Sequence, residues 1–150
     1  MRIGISSDES NSLTEHVVRY VRKKGHRVIK FGSISGKSTE WVDASVQLAK
    51  AVASGRCDSG ILFCWTGTGA CIAANKVNGI RAALCTDSEE ASGARRWNNA
   101  NILVMSIRLT SDPIADEIID AWFREKFKKD AYNERNIKKL NEIESGIIRV

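Results

Sequence analysis

Short apolar runs alternate with amphipathic segments along most of this chain. The apolar runs have the length and the β-branched character of strands that are covered on both faces. They fall at residues 2–6, 26–31, 59–64, 81–85 and 101–106.

Apolar positions at helical spacing mark the segments between these strands. In the first segment, the apolar residues from Leu13 to Val21 share one face, Ser12 is the predicted N-cap and Gly25 is the predicted stop. Pro113, the only proline, is expected in the first turn of a later helix. The remaining helices are predicted at residues 44–53, 70–77, 88–96 and 133–144.

This alternation predicts a three-layer α/β/α, Rossmann-like doubly wound fold with a five-stranded parallel sheet. No repeat, low-complexity tract or interdomain linker interrupts the pattern. Residues 1–150 are therefore expected to form a single domain, with a helical C-terminal extension from about residue 128.

Composition and charge narrow the class of protein. Hydrophobic residues make up 43% of the chain, as in a globular domain, and no apolar run approaches the ~20 residues that cross a bilayer. The N-terminus resembles a strand and not a signal peptide, so the four cysteines are expected to be reduced in the cytoplasm. The net charge is +5, but the basic residues are scattered, which favours solvated helix faces or a small anionic substrate over nucleic acid.

The richest chemistry lies in residues 60–76, GILFCWTGTGACIAANK, which predict a buried strand, a turn and a helix start. Cys64 ends the strand, where a helix N-terminus favours a thiolate and free amides favour an oxyanion or phosphate. A thiol base beside a group of amides that can bind an anion predicts proton transfer next to a carbonyl. The alternative for Cys64 is a buried thiol of the core, and the alternative for the residues after it is an ordinary strand-to-helix turn. The predicted anion-binding residues are Thr66, Gly67, Thr68 and Gly69.

The other three cysteines, Cys57, Cys71 and Cys85, are predicted to pack in the core. The seven-residue spacing of Cys57, Cys64 and Cys71 matches no metal site and no histidine is nearby, so no metal is expected.

In a doubly wound sheet, ligands bind at the carboxyl edge of the strands. Asp8 and Glu9 follow the first predicted strand, Cys64 ends the third and Asp87 follows the fourth. These residues are expected on one rim. Alternatively, Asp8 and Glu9 serve only the N-terminus of the first helix.

Residues 60–85 strongly resemble the signature of the ribose-5-phosphate isomerase B and galactose-6-phosphate isomerase (LacA/LacB) family. Supporting matches lie at residues 7–8, 24–25, 31–32, 51–55, 98–103 and 119–122. The resemblance extends to about residue 127. It implies an aldose–ketose isomerase that moves a proton between carbons 1 and 2 of a phosphorylated sugar through an enediolate, with no metal or organic cofactor.

The resemblance also implies roles for individual residues. Cys64 becomes the catalytic base, and Thr66 with the backbone of residues 67–69 stabilises the enediolate. The implied substrate, phosphate or charge-balancing residues are Asp8, Glu9, Trp97, Asn98, Arg108 and Arg135. The family forms homodimers or tetramers in which the neighbouring subunit completes each site. Trp97 and Asn98 precede the fifth strand, so they are expected on the rim opposite Cys64 of their own subunit. From there they reach a site more easily across a dimer interface.

Four departures from the family pattern stand out. Glu9 and Trp97 occupy positions where the family has histidine, and Trp65 replaces the glycine after the cysteine. The family's Gly-Arg-His motif is absent near Tyr132, which leaves only Arg135.

The residue at position 97 matters because the family histidine assists opening of the sugar ring. An indole nitrogen only donates, so it cannot shuttle that proton. His16 and His26 are expected to be ordinary surface or strand-edge residues. Three explanations stay open: Glu9 opens the ring, the substrate is already open-chain, or the site binds without turnover.

The default substrate pair is ribose 5-phosphate and ribulose 5-phosphate. The first alternative is another sugar phosphate, such as a four-carbon one that cannot close a five-membered ring; Trp65 and Trp97 would suit its smaller volume. The second is a non-catalytic sugar-phosphate-binding subunit. No nucleic acid or membrane partner is expected.

Overall fold

The computed structural model describes residues 1–147, so residues 148–150, the end of the predicted domain, lie outside the described residues. Five parallel strands form one sheet in the order β2-β1-β3-β5-β4. The strands are β1 (Arg2–Ser7), β2 (Arg27–Gly32), β3 (Ser59–Cys64), β4 (Ala82–Leu84) and β5 (Ile102–Ser106). The predicted fold class is confirmed.

Within residues 1–147, six α-helices connect or follow these strands. They are α1 (Ser12–Lys23), α2 (Trp41–Ala53), α3 (Thr68–Ala74), α4 (Ser88–Asn98), α5 (Asp112–Arg124) and α6 (Ala131–Glu144), and a short 3-10 turn covers Ser33–Ser35. Among the described residues, none of the helices has the length and apolar character needed to span a membrane.

Both faces of the sheet are covered, because side chains alternate along each buried strand. In β3, Ile61 and Phe63 pack under α1, α4 and α5, whereas Leu62 packs under α2 and α3. Trp122 of α5 is buried, and its indole N–H donates to Ser59 Oγ over 3.1 Å. These contacts fix the strand that ends at Cys64.

Several element boundaries differ from the sequence prediction. Asn11, and not Ser12, is the N-cap of α1: its side chain accepts from Thr14 N, and Thr14 Oγ1 accepts from Asn11 N, each over 3.0 Å. This reciprocal pair satisfies two amides that a helix start leaves without partners. Helix α2 begins at Trp41, ahead of the predicted residue 44. Helix α6, capped by Asp130, begins at Ala131, two residues before its predicted start. Pro113 lies in the first turn of α5 as predicted.

The predicted core position is correct for two of the three cysteines. Cys57 and Cys85 are 1% exposed, but Cys71 is only half-buried, with its thiol 3.4 Å from the Ala82 carbonyl oxygen.

Candidate active site

Asp8 and Cys64 meet at the carboxyl edge of the sheet, between β1 and β3. Strand β2 lies on one side of β1 and strand β3 lies on the other side. The strand order therefore reverses between β1 and β3, and sheets of this kind bind ligands at that point. Asp8 follows β1 and Cys64 ends β3, and the Cys64 thiol lies 3.9 Å from Asp8 Oδ2. The predicted proximity of these residues is therefore seen in the structure.

The electrostatics of this pair favour its neutral forms. Burial raises the pKa of Cys64, and the Asp8 carboxylate raises it further, whereas the amides of Trp65, Gly67 and Ala70 lower it. The resulting pKa lies above the ordinary value, contrary to the expectation of a favoured thiolate, because the amides are outweighed. Burial also raises the pKa of Asp8, and its Oδ1 is buried without a hydrogen-bond partner. Two half-buried acids in contact disfavour a double negative charge.

The turn after Cys64 has the backbone geometry that its glycines predict. Gly67 has a positive φ of 79°, and a Cβ there would lie 2.6 Å from Leu84 Cδ1. The hydroxyls of Thr66 and Thr68 are exposed and lie 2.8 Å apart. They flank the turn on the side open to solvent, where they can contact a bound molecule.

Two further predicted residues, Arg108 and Glu9, also lie on this rim. The Arg108 amide donates to the Trp65 carbonyl over 3.0 Å, which places this exposed arginine in the turn beside the Cys64 segment. Glu9 Oε1 accepts from the Asn11 side chain over 2.7 Å, so this carboxylate faces the N-cap of α1 and the helix-terminus alternative fits it. Asp87 caps α4 by accepting from the Glu90 amide over 2.8 Å.

Trp97, Asn98 and Arg135 lie apart from this rim. Trp97 and Asn98 end α4, which leads into the amino end of β5, and they line a groove with Tyr132 and other residues of the α6 region. Trp97 is 53% exposed, which excludes a core role. Arg135 lies over the Tyr132 ring, with 5.7 Å between the guanidinium carbon and the ring centroid.

Neither histidine is free to act at Cys64. His16 Nε2 lies 2.8 Å from Asp116 and its Nδ1 lies 3.4 Å from Asp112, so both ring nitrogens face carboxylates of α5. His26 lies just before β2, at the amino edge, 3.4 Å from the N-terminal amine. Among residues 1–147 there is no group of three or more His, Cys, Asp or Glu arranged to hold a metal ion.

Two residues at the rim were not among the predicted site residues. Trp41, at the start of α2, lies against Gly69: a Cβ on that glycine would be 3.1 Å from the indole ring. Ser106, at the end of β5, donates to the Trp65 carbonyl over 2.8 Å. A serine that ends an apolar strand was the available signal; the position of Trp41 depends on helix packing, which the local sequence does not reveal.

Comparison with known proteins agrees with this fold. The Ribose/Galactose Isomerase family matches residues 3–140. D-erythrulose-4-phosphate isomerase from Pectobacterium atrosepticum is 38% identical over 130 residues, covering 85% of this chain and 86% of that protein. Ribose-5-phosphate isomerase B from Escherichia coli is 34% identical over 135 residues, covering 89% and 91%. The structure of ribose-5-phosphate isomerase B from Clostridium thermocellum aligns with a TM-score of 0.91 at 39% identity, covering 99% of this chain and 100% of that one.

The family match and the shared fold together define the class of protein. This chain belongs to the Ribose/Galactose Isomerase family and is a sugar-phosphate isomerase. The predicted family and enzyme class are confirmed.

The contact between Cys64 and Asp8 predicts a measurable change in thiol acidity. In Asp8→Asn the negative charge that raises the pKa of Cys64 is absent, so this pKa should fall and Cys64 should react with iodoacetamide at lower pH. Quantifying the Cys64 peptide by mass spectrometry across pH measures the midpoint. Glu9→Gln removes a neighbouring carboxylate that does not contact the thiol, and should leave the midpoint nearly unchanged. An unshifted midpoint in Asp8→Asn would show that the two groups are not coupled.

Proposed function

We propose that this chain is an aldose–ketose isomerase in which Cys64 moves a proton between carbons 1 and 2 of a sugar phosphate. The observation that carries the proposal is the half-buried Cys64 thiol in contact with Asp8 at the point where the strand order reverses. The first candidate substrates are ribose 5-phosphate and ribulose 5-phosphate, as in the relative from E. coli named for that activity.

The residues around Cys64 support the chemistry of an enediolate. The Cys64 thiolate takes the proton from one carbon and returns it to the other, so the thiol carries it between the two half-reactions. Negative charge that develops on the oxygens faces the turn of residues 66–69, whose amides and threonine hydroxyls are the donors for it. Asp8 would bind a sugar hydroxyl and Arg108 the phosphate. This division of roles uses no metal or organic cofactor.

Removing the thiol tests the base directly. Cys64→Ala should lower kcat by about 10²–10⁴-fold, the usual worth of positioned acid–base catalysis, while fold and assembly are retained. Cys71→Ala is the matched control, because Cys71 is also a half-buried thiol but lies within α3 against the Ala82 carbonyl; its rate should stay close to the parent's. Both are measured as isomerisation of ribose 5-phosphate and of D-erythrulose 4-phosphate. An active Cys64→Ala enzyme would remove Cys64 from this role, and an inactive parent would support a binding subunit.

A second candidate substrate is a four-carbon sugar phosphate, and the arrangement of the histidines favours it. Both ring nitrogens of His16 face carboxylates, His26 lies at the amino edge, and position 97 is an indole. No imidazole is therefore in place to open a sugar ring, and a four-carbon phosphate needs no such step. The relative from P. atrosepticum is named for D-erythrulose 4-phosphate.

The ratio of two specificity constants separates these substrates. If no other group opens the ring, kcat/KM for D-erythrulose 4-phosphate should exceed that for ribose 5-phosphate by about 10²–10⁴-fold. Trp97→His should raise the value for ribose 5-phosphate more than that for the four-carbon substrate, whereas Trp65→His, another exposed indole, should not. Efficient turnover of ribose 5-phosphate by the parent would contradict the four-carbon assignment and point to Glu9 or Thr66 as the ring-opening group.

The positions of Trp97 and Asn98 support a site shared between subunits. Within one chain they lie at the end of α4, near the amino edge, whereas Cys64 lies at the carboxyl edge. A second copy is needed to bring the two halves together, so the active form is proposed to be a homodimer or a tetramer. A cytoplasmic location and the absence of nucleic-acid or membrane partners stay predictions, as does the single domain with its C-terminal extension.

A mixing experiment tests the shared site. Cys64→Ala and Asn98→Ala each damage a different half, so mixed dimers of the two contain one site with both halves intact. Refolding the two variants together should restore activity that neither regains when refolded alone. No recovery, or a monomer in sedimentation at micromolar concentration, would contradict the shared site.

A further inference from the structure

The end of β5 is joined to the Cys64 segment by more than the ladder of the sheet. Cys64 and Ser106 are partners in the register of β3 and β5, and the Ile107 amide continues the ladder by donating to the Cys64 carbonyl over 3.0 Å. The next carbonyl, that of Trp65, accepts twice: from Ser106 Oγ over 2.8 Å and from the Arg108 amide over 3.0 Å. Past the end of β3, this carbonyl is therefore held by the turn that follows β5.

The Ser106 hydroxyl makes a second contact within that turn. It accepts from the Leu109 amide over 3.3 Å, while the Ser106 carbonyl accepts from the Thr110 amide over 3.1 Å. We call the Ser106 hydroxyl with its two partners, Trp65 O and Leu109 N, the Ser106 bridge. Ser106 is 2% exposed, so its hydroxyl does not reach a bound molecule and any effect on the reaction must pass through its partners.

The Ser106 bridge links the turn after Cys64 to the turn after β5. On one side it fixes Trp65, whose own amide stabilises the Cys64 thiolate. On the other side it closes the turn that carries Arg108. Gly67 packs on the same strand end, since a Cβ there would lie 3.4 Å from Ser106 N.

We propose that Ser106 is a positioning residue of the isomerase site, whose hydroxyl keeps the Cys64 turn and the Arg108 turn in register. This inference rests on the proposed roles of Cys64 and Arg108. Without the hydroxyl, the Leu109 amide loses its acceptor and the Trp65 carbonyl keeps only one donor, so both turns are free to shift. A misplacement of about 1 Å between reacting groups can cost about 10²-fold in rate.

Two buried serines make the matched comparison. Ser59, 6% exposed, begins β3 at the amino edge, where its hydroxyl donates to the Asn101 carbonyl and accepts from the Trp122 indole, each over 3.1 Å. Ser106→Ala and Ser59→Ala should lower the melting temperature to a similar extent. Only Ser106→Ala should also lower kcat and raise KM, with a loss in kcat/KM of about 10–10²-fold. If Ser106→Ala has the same kcat and KM as Ser59→Ala, the proposal is overturned.

A second pair keeps the test clear if Ser106→Ala folds poorly. Ser106→Thr and Ser106→Val add the same bulk to the strand end, but only threonine keeps the hydroxyl. The threonine variant should be faster than the valine variant, and equal rates would show that the hydroxyl does not position the site.

A readout without substrate separates this inference from the proposed function. The rate at which iodoacetamide alkylates Cys64 should change in Ser106→Val and stay near the parent's in Ser106→Thr, because the Trp65 amide lowers the pKa of the thiol. If Cys64→Ala stays active while this difference is present, the proposed base is wrong and the positioning is right. If Cys64→Ala is inactive and the difference is absent, the base is right and the positioning is wrong.

Discussion

The carboxyl ends of β1 and β3 bring two acidic groups together in a place where burial disfavours charge. A cysteine thiol and a carboxyl group are half-buried there and in contact, and burial raises the pKa of both. Three backbone amides partly offset that burial at the thiol. A negative charge on Asp8 therefore makes the Cys64 thiol harder to ionise, and a bound molecule that brings hydrogen-bond donors or charge of its own alters that balance.

The position of Cys64 is fixed by the packing of β3 within the sheet and by hydrogen bonds to the neighbouring strand β5. Apolar residues of β3 pack on both faces, and the Trp122–Ser59 hydrogen bond anchors the opposite end of the strand. At the rim, the backbone of the Cys64 turn is tied to the turn after β5 through Trp65. The rigid strands thus set where Cys64 lies, whereas the turns set which groups surround it.

Two exposed indole rings lie against glycines of the chain. Trp41 lies over Gly69 at the rim, and Trp97 lies over Gly93 on α4, where a Cβ would be 2.8 Å from its ring. In both places the absence of a Cβ lets an indole ring lie close to the backbone.

The sequence by itself determined the alternation of strands and helices, the end of β3 at Cys64 and the family, because hydrophobic period and glycine placement are local properties of the chain. It also placed Asp8 and Cys64 on one rim, since parallel strands end at the same edge. It did not predict Asn11 as the N-cap, because the adjacent Ser12 is an equally favoured cap residue. The half-buried state of Cys71 was missed because it depends on which side chains pack against it. The balance between burial and helix amides at Cys64 was misjudged for the same reason: desolvation depends on the atoms that surround a group in three dimensions. The hydroxyl of Ser106 and the ring of Trp41 acquired their contacts only when distant segments packed together, so the tertiary structure alone decided them.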